Sequence, residues 1–169
     1  MRSWFIPQSY ILKIEDLSIE FLKKKNIKGL IFDLDNTMIP WGEYRVTPNL
    51  VDLIQRIKDA NISICIVSNN RGQSISDFAK SLKIYLVDRA GKPRSKPFQA
   101  AMRLMKTNAN ETAMVGDQLF TDIFGANRVG IYSILVKPIS DKEFVGTQFV
   151  RKVERALIKK MVKEGEIKL

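Results

Sequence analysis

Gly29-Leu30-Ile31-Phe32-Asp33-Leu34-Asp35-Asn36-Thr37 joins an apolar strand directly to two aspartates separated by one residue. The branched apolar residues of 27–34 suit a strand buried on both faces of a parallel sheet. Two carboxylates this close repel and are costly to bury together. A divalent cation relieves that repulsion, and an all-oxygen ligand set selects Mg²⁺. Asp-x-Asp-x-Thr at the carboxyl end of a strand therefore reads as a Mg²⁺ and phosphoryl-transfer site. The same residues also fit a strand that stops at a polar turn, with Asp35-Asn36-Thr37 as turn or N-cap residues. The rest of the chain decides between the two.

Strand and helix signals alternate on both sides of this stretch. Ser18 is placed to cap a short amphipathic helix carrying Ile19, Phe21 and Leu22. Thr47-Pro48 reads as an N-cap followed by Pro at the first helical position. The helix after it carries Leu50, Leu53, Ile54 and Ile57 at helical spacing and ends near Asn61. Further helices are expected over 73–82, from a Ser95 cap onward, and near 119–127. Strands are expected over 28–34, 62–67, 84–87, 112–115 and 131–136. Such alternation implies an α/β fold, a doubly wound, mainly parallel five-stranded sheet flanked by helices. We expect one domain over 1–169, with an N-terminal amphipathic segment at 1–26 and a basic C-terminal helix at about 147–164.

In a doubly wound sheet, ligands bind beyond the carboxyl ends of the strands, at a switch in strand order. The polar residues at those ends are Asp33, Asp35 and Thr37, then Ser68-Asn69-Asn70, then Lys92, then Asp117. Four strand ends deliver phosphate- or metal-compatible residues to one rim.

Composition limits the chemistry. The 169 residues are 45% hydrophobic, contain no His and carry a net charge of +10. Without histidine, triads, His general bases and His metal ligands are excluded. Chemistry rests on carboxylates, lysines, hydroxyls and oxygen-bound metal. The single cysteine, Cys65, makes no internal disulfide and fits a reducing, cytoplasmic setting. The residues from Met1 to Pro7 are too short and soon too charged for a secretory apolar segment. The positive charge favours anionic partners, although a lysine-rich bias would give the same balance. Cys65 and Arg71 have the Cys-x5-Arg spacing of a cysteine-phosphatase loop, but the residues between them lack its glycines. A buried thiol in an apolar strand is the stronger reading.

With these residues in view, the sequence resembles the haloacid dehalogenase (HAD) superfamily of phosphohydrolases. The four matching motifs, in order, are Asp33-Leu34-Asp35-Asn36-Thr37, Ser68 after Ile66-Val67, Lys92 before a helix, and Gly116-Asp117-Gln118-Leu119-Phe120-Thr121-Asp122. The resemblance implies Asp33 as a nucleophile forming an aspartyl-phosphate, and Asp35 as the acid that protonates the leaving alcohol and then the base for water. It implies Mg²⁺ held by Asp33, by the Asp35 backbone carbonyl and by Asp117, with Asp122 orienting the lysine or metal waters. Ser68 and a lysine hold the phosphoryl oxygens, and Thr37, Asn69 and Asn70 line the phosphate and substrate side. Two lysines fit the third motif. Lys92-Pro93 with Phe98 six residues on has the family's spacing, and Lys96 at the helix start is the alternative.

Caps in that superfamily insert after the first motif or between the second and third. Here 35 positions separate Asp33 from Ser68 and 24 separate Ser68 from Lys92, which leaves no room for a cap domain. Only a flap at 38–46 remains, where Trp41 and Tyr44 fit equally a substrate contact or packing of the flap. The motif details, with Pro7-x-x-Tyr10-x-x-x-Ile14 and Arg151-x-x-Glu154-Arg155, resemble the YqeG-type branch of capless HAD phosphatases. That branch is similar to the phosphatidylglycerophosphate phosphatases of mitochondria and plastids, which implies a phosphorylated lipid head group as substrate. The end helix carries an apolar stripe of Phe149, Val150, Val153, Leu157 and Met161 from Thr147 on, with Arg151, Lys152, Arg155, Lys159, Lys160 and Lys163 around it. It fits a peripheral membrane element, or equally a helix packed on the sheet with a solvated basic face.

A phosphatase of a soluble sugar, nucleotide or cofactor phosphate is the second functional reading. A non-catalytic binding or scaffold protein on the same core is the third, and the intact motifs argue against it. No nucleic-acid motif is present, and the oligomeric state is left open.

Overall fold

The computed structural model describes residues 2–140 and 148–167. Six parallel strands form one sheet: β1 (Ser9–Ile11), β2 (Gly29–Phe32), β3 (Ser63–Val67), β4 (Tyr85–Val87), β5 (Thr112–Gly116) and β6 (Tyr132–Val136). Their order is β1-β6-β5-β2-β3-β4. The chain steps outward from β2 to β4, then crosses back to β5 on the other side of β2. The switch in strand order therefore falls at β2, the strand that ends in Asp33.

The helices are α1 (Ile19–Lys24), α2 (Pro48–Asp59), α3 (Gln73–Ser81), α4 (Ser95–Met105), α5 (Phe124–Arg128) and α6 (Gln148–Lys163). Strand residues alternate between the two faces of the sheet. Leu30, Phe32, Ile64, Ile66, Ala113 and Val115 pack under α2 and α3. Ile31, Cys65, Val67 and Met114 pack against Phe98, Ala101 and Met105 of α4. Both faces are covered, which is why the strands read as continuous apolar runs. The expected caps at Ser18 and Thr47 are present, their hydroxyls accepting from the Phe21 and Leu50 amides.

Three expectations need correction. The sheet has six strands, because the N-terminal segment contributes β1 beside β6, with Ser9, Tyr10 and Ile11 opposite Ile134, Leu135 and Val136. Three half-buried residues are too few to show an alternation. The helix at 95 is capped by Arg94 without a side-chain hydrogen bond, and Ser95 is its first residue. On α6, Val150 and Val153 of the expected apolar stripe are each 39% exposed, whereas Arg151 and Glu154 are buried. Thr147 and the side chain of Phe149 lie outside what the structure describes.

The segment between β2 and β3 holds a loop and α2, and that between β3 and β4 holds α3. No helix among the described residues is long and apolar enough to cross a membrane.

Candidate active site

Register builds the site. Phe32 pairs with Ile66 of β3 on one side and with Val115 of β5 on the other. Just past the strand ends, Asp33 follows Phe32 by one residue, and Ser68 and Asp117 follow Ile66 and Val115 by two. Asp33 is tied to the sheet by its amide, which donates to the Val115 carbonyl at 2.9 Å. The chain then turns sharply around the Leu34 carbonyl, which accepts from the amides of Thr37, Met38 and Ile39. Asn36 takes a left-handed backbone, φ 63°, a conformation asparagine tolerates better than most residues. Its buried side chain accepts from the Trp41 amide at 3.2 Å and the Ser140 hydroxyl at 2.9 Å. This turn holds Asp35 half-exposed, its oxygens accepting from the Gly42 amide (3.2 Å) and from the Asn70 side chain (2.7 Å).

Lys92 arrives from the loop after β4. Its backbone is clamped by Asn69, whose carbonyl oxygen accepts from the Lys92 amide at 2.8 Å. Its ammonium lies 2.6 Å from Asp33 Oδ1 and 2.7 Å from Asp122 Oδ1. Lys96, by contrast, is exposed at the start of α4. Of the two candidate lysines, only Lys92 meets the aspartates.

Beyond β5, a single wide π turn over Leu119–Ile123 brings Asp122 back under Asp117. Asp122 Oδ2 accepts from the Gln118 amide at 3.1 Å. The close approach requires a glycine at 116, where a Cβ would overlap the Asp122 side chain. Gly116→Ala is therefore expected to cost about 1–3 kcal/mol, roughly 2–12 °C in Tm for a chain of this size. Thermal melts of the two proteins, with turnover of the folded variant, check this.

Two further residues come from the Arg151-x-x-Glu154-Arg155 signature, outside the four motifs at the strand ends. Arg151 and Glu154 project from α6 into the site. Arg151 forms an ion pair with Asp117 Oδ2 and donates to the Asp117 carbonyl at 2.7 Å. Glu154 accepts from Arg151 at 3.2 Å and from the Phe120 amide at 2.9 Å. Thr37 donates to the other Asp117 oxygen at 3.0 Å.

Every charged residue buried among the described residues belongs to this cluster: Asp33, Lys92, Asp117, Asp122, Arg151 and Glu154. Burial pushes the Asp33 carboxyl up to about 8 against the pull of Lys92, with Asp122 and Asp117 adding to the rise. Burial raises Asp117 to about 6 and Glu154 to about 7, in each case against the pull of Arg151. Burial also works against the Lys92 charge, but Asp122 and Asp33 outweigh it and hold the ammonium above its ordinary value. Four buried carboxylates thus face two buried cations. Carboxylate oxygens of Asp33, Asp117 and Asp122 lie within 4.8 Å of one another. An all-oxygen, electron-rich cluster of this kind fits a hard divalent cation.

Asp33, Lys92 and Arg151 of this cluster line an open cavity of about 190 Å³, together with Asp35, Trp41, Ser68, Asn69 and Asn70. Ser68 is buried and its hydroxyl accepts from the Asn70 amide at 3.1 Å. Trp41 faces the cavity, while Tyr44 packs on the core under α2. Thr37 donates to Asp117, and Asn69, which lines the cavity, also accepts from the Lys92 amide. Cys65 is fully buried and burial pushes its thiol up to about 12, so it is an inert core residue.

The model of the family described as mitochondrial PGP phosphatase matches residues 1–139. The chain belongs to this family. It is 35% identical to the "Probable phosphatase YqeG" of Bacillus subtilis over 99% of this chain and 97% of that protein. It is 33% identical to "Phosphatidylglycerophosphate phosphatase 1, chloroplastic/mitochondrial" of Arabidopsis thaliana, over 97% of this chain and 50% of the plant protein. Among solved structures, the HAD phosphatase from Thermococcus onnurineus superposes with a TM-score of 0.50 at 21% identity, covering 60% of this chain and 51% of that one, which shows the shared fold. The family member described here is accordingly a phosphatase, on the fold seen in that HAD phosphatase.

Proposed function

We propose that the chain is a Mg²⁺-dependent phosphomonoesterase that works through an aspartyl-phosphate on Asp33, and that its substrate is phosphatidylglycerophosphate. The observation that carries the chemistry is the buried cluster of Asp33, Asp117 and Asp122 around Lys92. The family and the plant relative support the substrate, and the Bacillus subtilis relative supports the phosphatase activity.

Asp33, Asp117 and the Asp35 backbone carbonyl would hold the cation, which when bound neutralises the nucleophile and the phosphate it meets. Asp33 attacks phosphorus, and the bond from phosphorus to the leaving oxygen breaks. Asp35 gives that oxygen a proton. Water then attacks phosphorus, Asp35 takes its proton, and the acyl-phosphate bond breaks to free phosphate and the Asp33 carboxylate. Ser68 and Lys92 hold the phosphoryl oxygens, and Asp122 aims Lys92. On this reading the cavity takes the head group and the acyl chains stay outside it; α6, which reaches the cavity through Arg151, exposes Lys152, Arg155, Lys159 and Lys160. That surface suits peripheral contact with an anionic bilayer, each basic residue contributing about 1 kcal/mol.

Phosphate release from phosphatidylglycerophosphate in mixed micelles, against a panel of soluble phosphate esters, tests this reading. Release from the lipid that is lost with chelator and restored by Mg²⁺, together with salt-sensitive co-sedimentation with phosphatidylglycerol vesicles, is the expected result. Preference for a soluble ester and no vesicle binding at low salt would overturn the lipid assignment.

A further inference from the structure

We infer that Arg151 is a positioning residue of the metal centre, and that α6 is thereby part of the active site. This rests on the reading of Asp117 as a metal ligand. The family model ends at residue 139, so Arg151 lies beyond the matched span.

The guanidinium grips Asp117 twice, at the side-chain oxygen Oδ2 and at the backbone carbonyl. With Thr37 on Oδ1, this fixes both the rotamer and the plane of the carboxylate. Arg151 is fixed in turn by Glu154, whose other oxygen accepts from Phe120 in the turn that carries Asp122. One helix therefore braces both Asp117 and the segment delivering Asp122. The charges decide between bracing and competition. An isolated guanidinium at Asp117 would repel an incoming dication. Here Glu154 accepts from it at 3.2 Å, so the guanidinium is held between two acceptors and is not free to face the cation. Planar, two-point contact of this kind is a property of arginine that lysine lacks.

Partners that orient a metal ligand typically change affinity 10–100-fold when removed. Mn²⁺ binding, followed by calorimetry and by the electron-paramagnetic signal of free Mn²⁺, should show Arg151→Gln weakened by about that factor. Arg151→Lys should fall between it and the unmutated protein, because one ammonium reaches one acceptor well but not both. Circular dichroism of the metal-free proteins identifies variants that fail to fold, and Arg151→Lys carries the test if Arg151→Gln does. Saturating Mn²⁺ should restore kcat to Arg151→Lys, which a merely structural defect would not allow. Unchanged or tighter binding in both variants overturns the proposal. Asp117→Asn separates the two claims. If that variant loses Mn²⁺ while the Arg151 variants retain it in full, only the role of Arg151 fails. If Asp117→Asn binds normally, the ligand assignment falls and the proposal falls with it.

Discussion

Asp33→Asn should leave essentially no metal-dependent phosphate release, a loss on the order of 10⁵–10⁶-fold, in a protein that still folds. An amide neither attacks phosphorus nor neutralises a cation, and removal of a nucleophile has effects of this scale. Folding should survive because the side chain keeps its size and its contact to Lys92 loses only a charge. The substitution also removes one of four carboxylates that burial already penalises. Metal-free Tm should therefore hold or rise, while Mg²⁺-induced stabilisation shrinks. Phosphate release and melting curves with and without Mg²⁺ measure both. Near-normal turnover that still requires metal would refute Asp33 as the nucleophile.

Asp35→Asn should slow turnover by about 10²–10⁴-fold, the range for a positioned proton donor. Asp35 is half-exposed beside the cavity, aimed by the Gly42 amide and Asn70, and it contacts no buried cation. Its loss should therefore spare metal binding. The defect should be large for alkyl phosphates, whose leaving group needs a proton, and small for p-nitrophenyl phosphate, whose leaving group does not. Equal losses on both would leave Asp35 a structural or metal-linked role only.

The core and the motif end of the site were legible because each strand signals itself independently. Ile31, Phe32, Ile64, Ile66 and Val115 are branched or bulky residues in unbroken runs, and only a strand covered on both faces calls for that. Asp33, Ser68 and Asp117 follow such runs directly, so identifying the strands located the rim. The lysine could not be settled by spacing alone. The Asn69 clamp on the Lys92 backbone decides it, and this contact crosses two loops. Two contacts could not be foreseen from spacing: Thr37, fully buried, donates to Asp117, and Asn69 holds the Lys92 backbone while also lining the cavity. Arg151 and Glu154 were legible as a signature of the YqeG-type branch, but their place in the site was hidden by their company. Among so many lysines on α6, two more charges read as a solvated face. The available clue was periodicity, since 151, 154, 158 and 161 fall on one side of a helix and the last two are Ile158 and Met161. A charged pair on the apolar side of a helix signals a buried partner.

β1 has a bearing on how the protein survives in a crowded solution. Without it, the apolar, five-residue β6 would be the margin of the sheet, a template for pairing with another chain. With it, both margins are three-residue strands, β1 and β4. Lys13 lies just past the end of one and Lys83 just before the start of the other, both exposed. Short, lysine-flanked margins resist edge-to-edge aggregation. The stretch Gln8-Ser9-Tyr10-Ile11 thus acts as a guard rail, keeping a sheet built of aggregation-prone sequence from recruiting its neighbours.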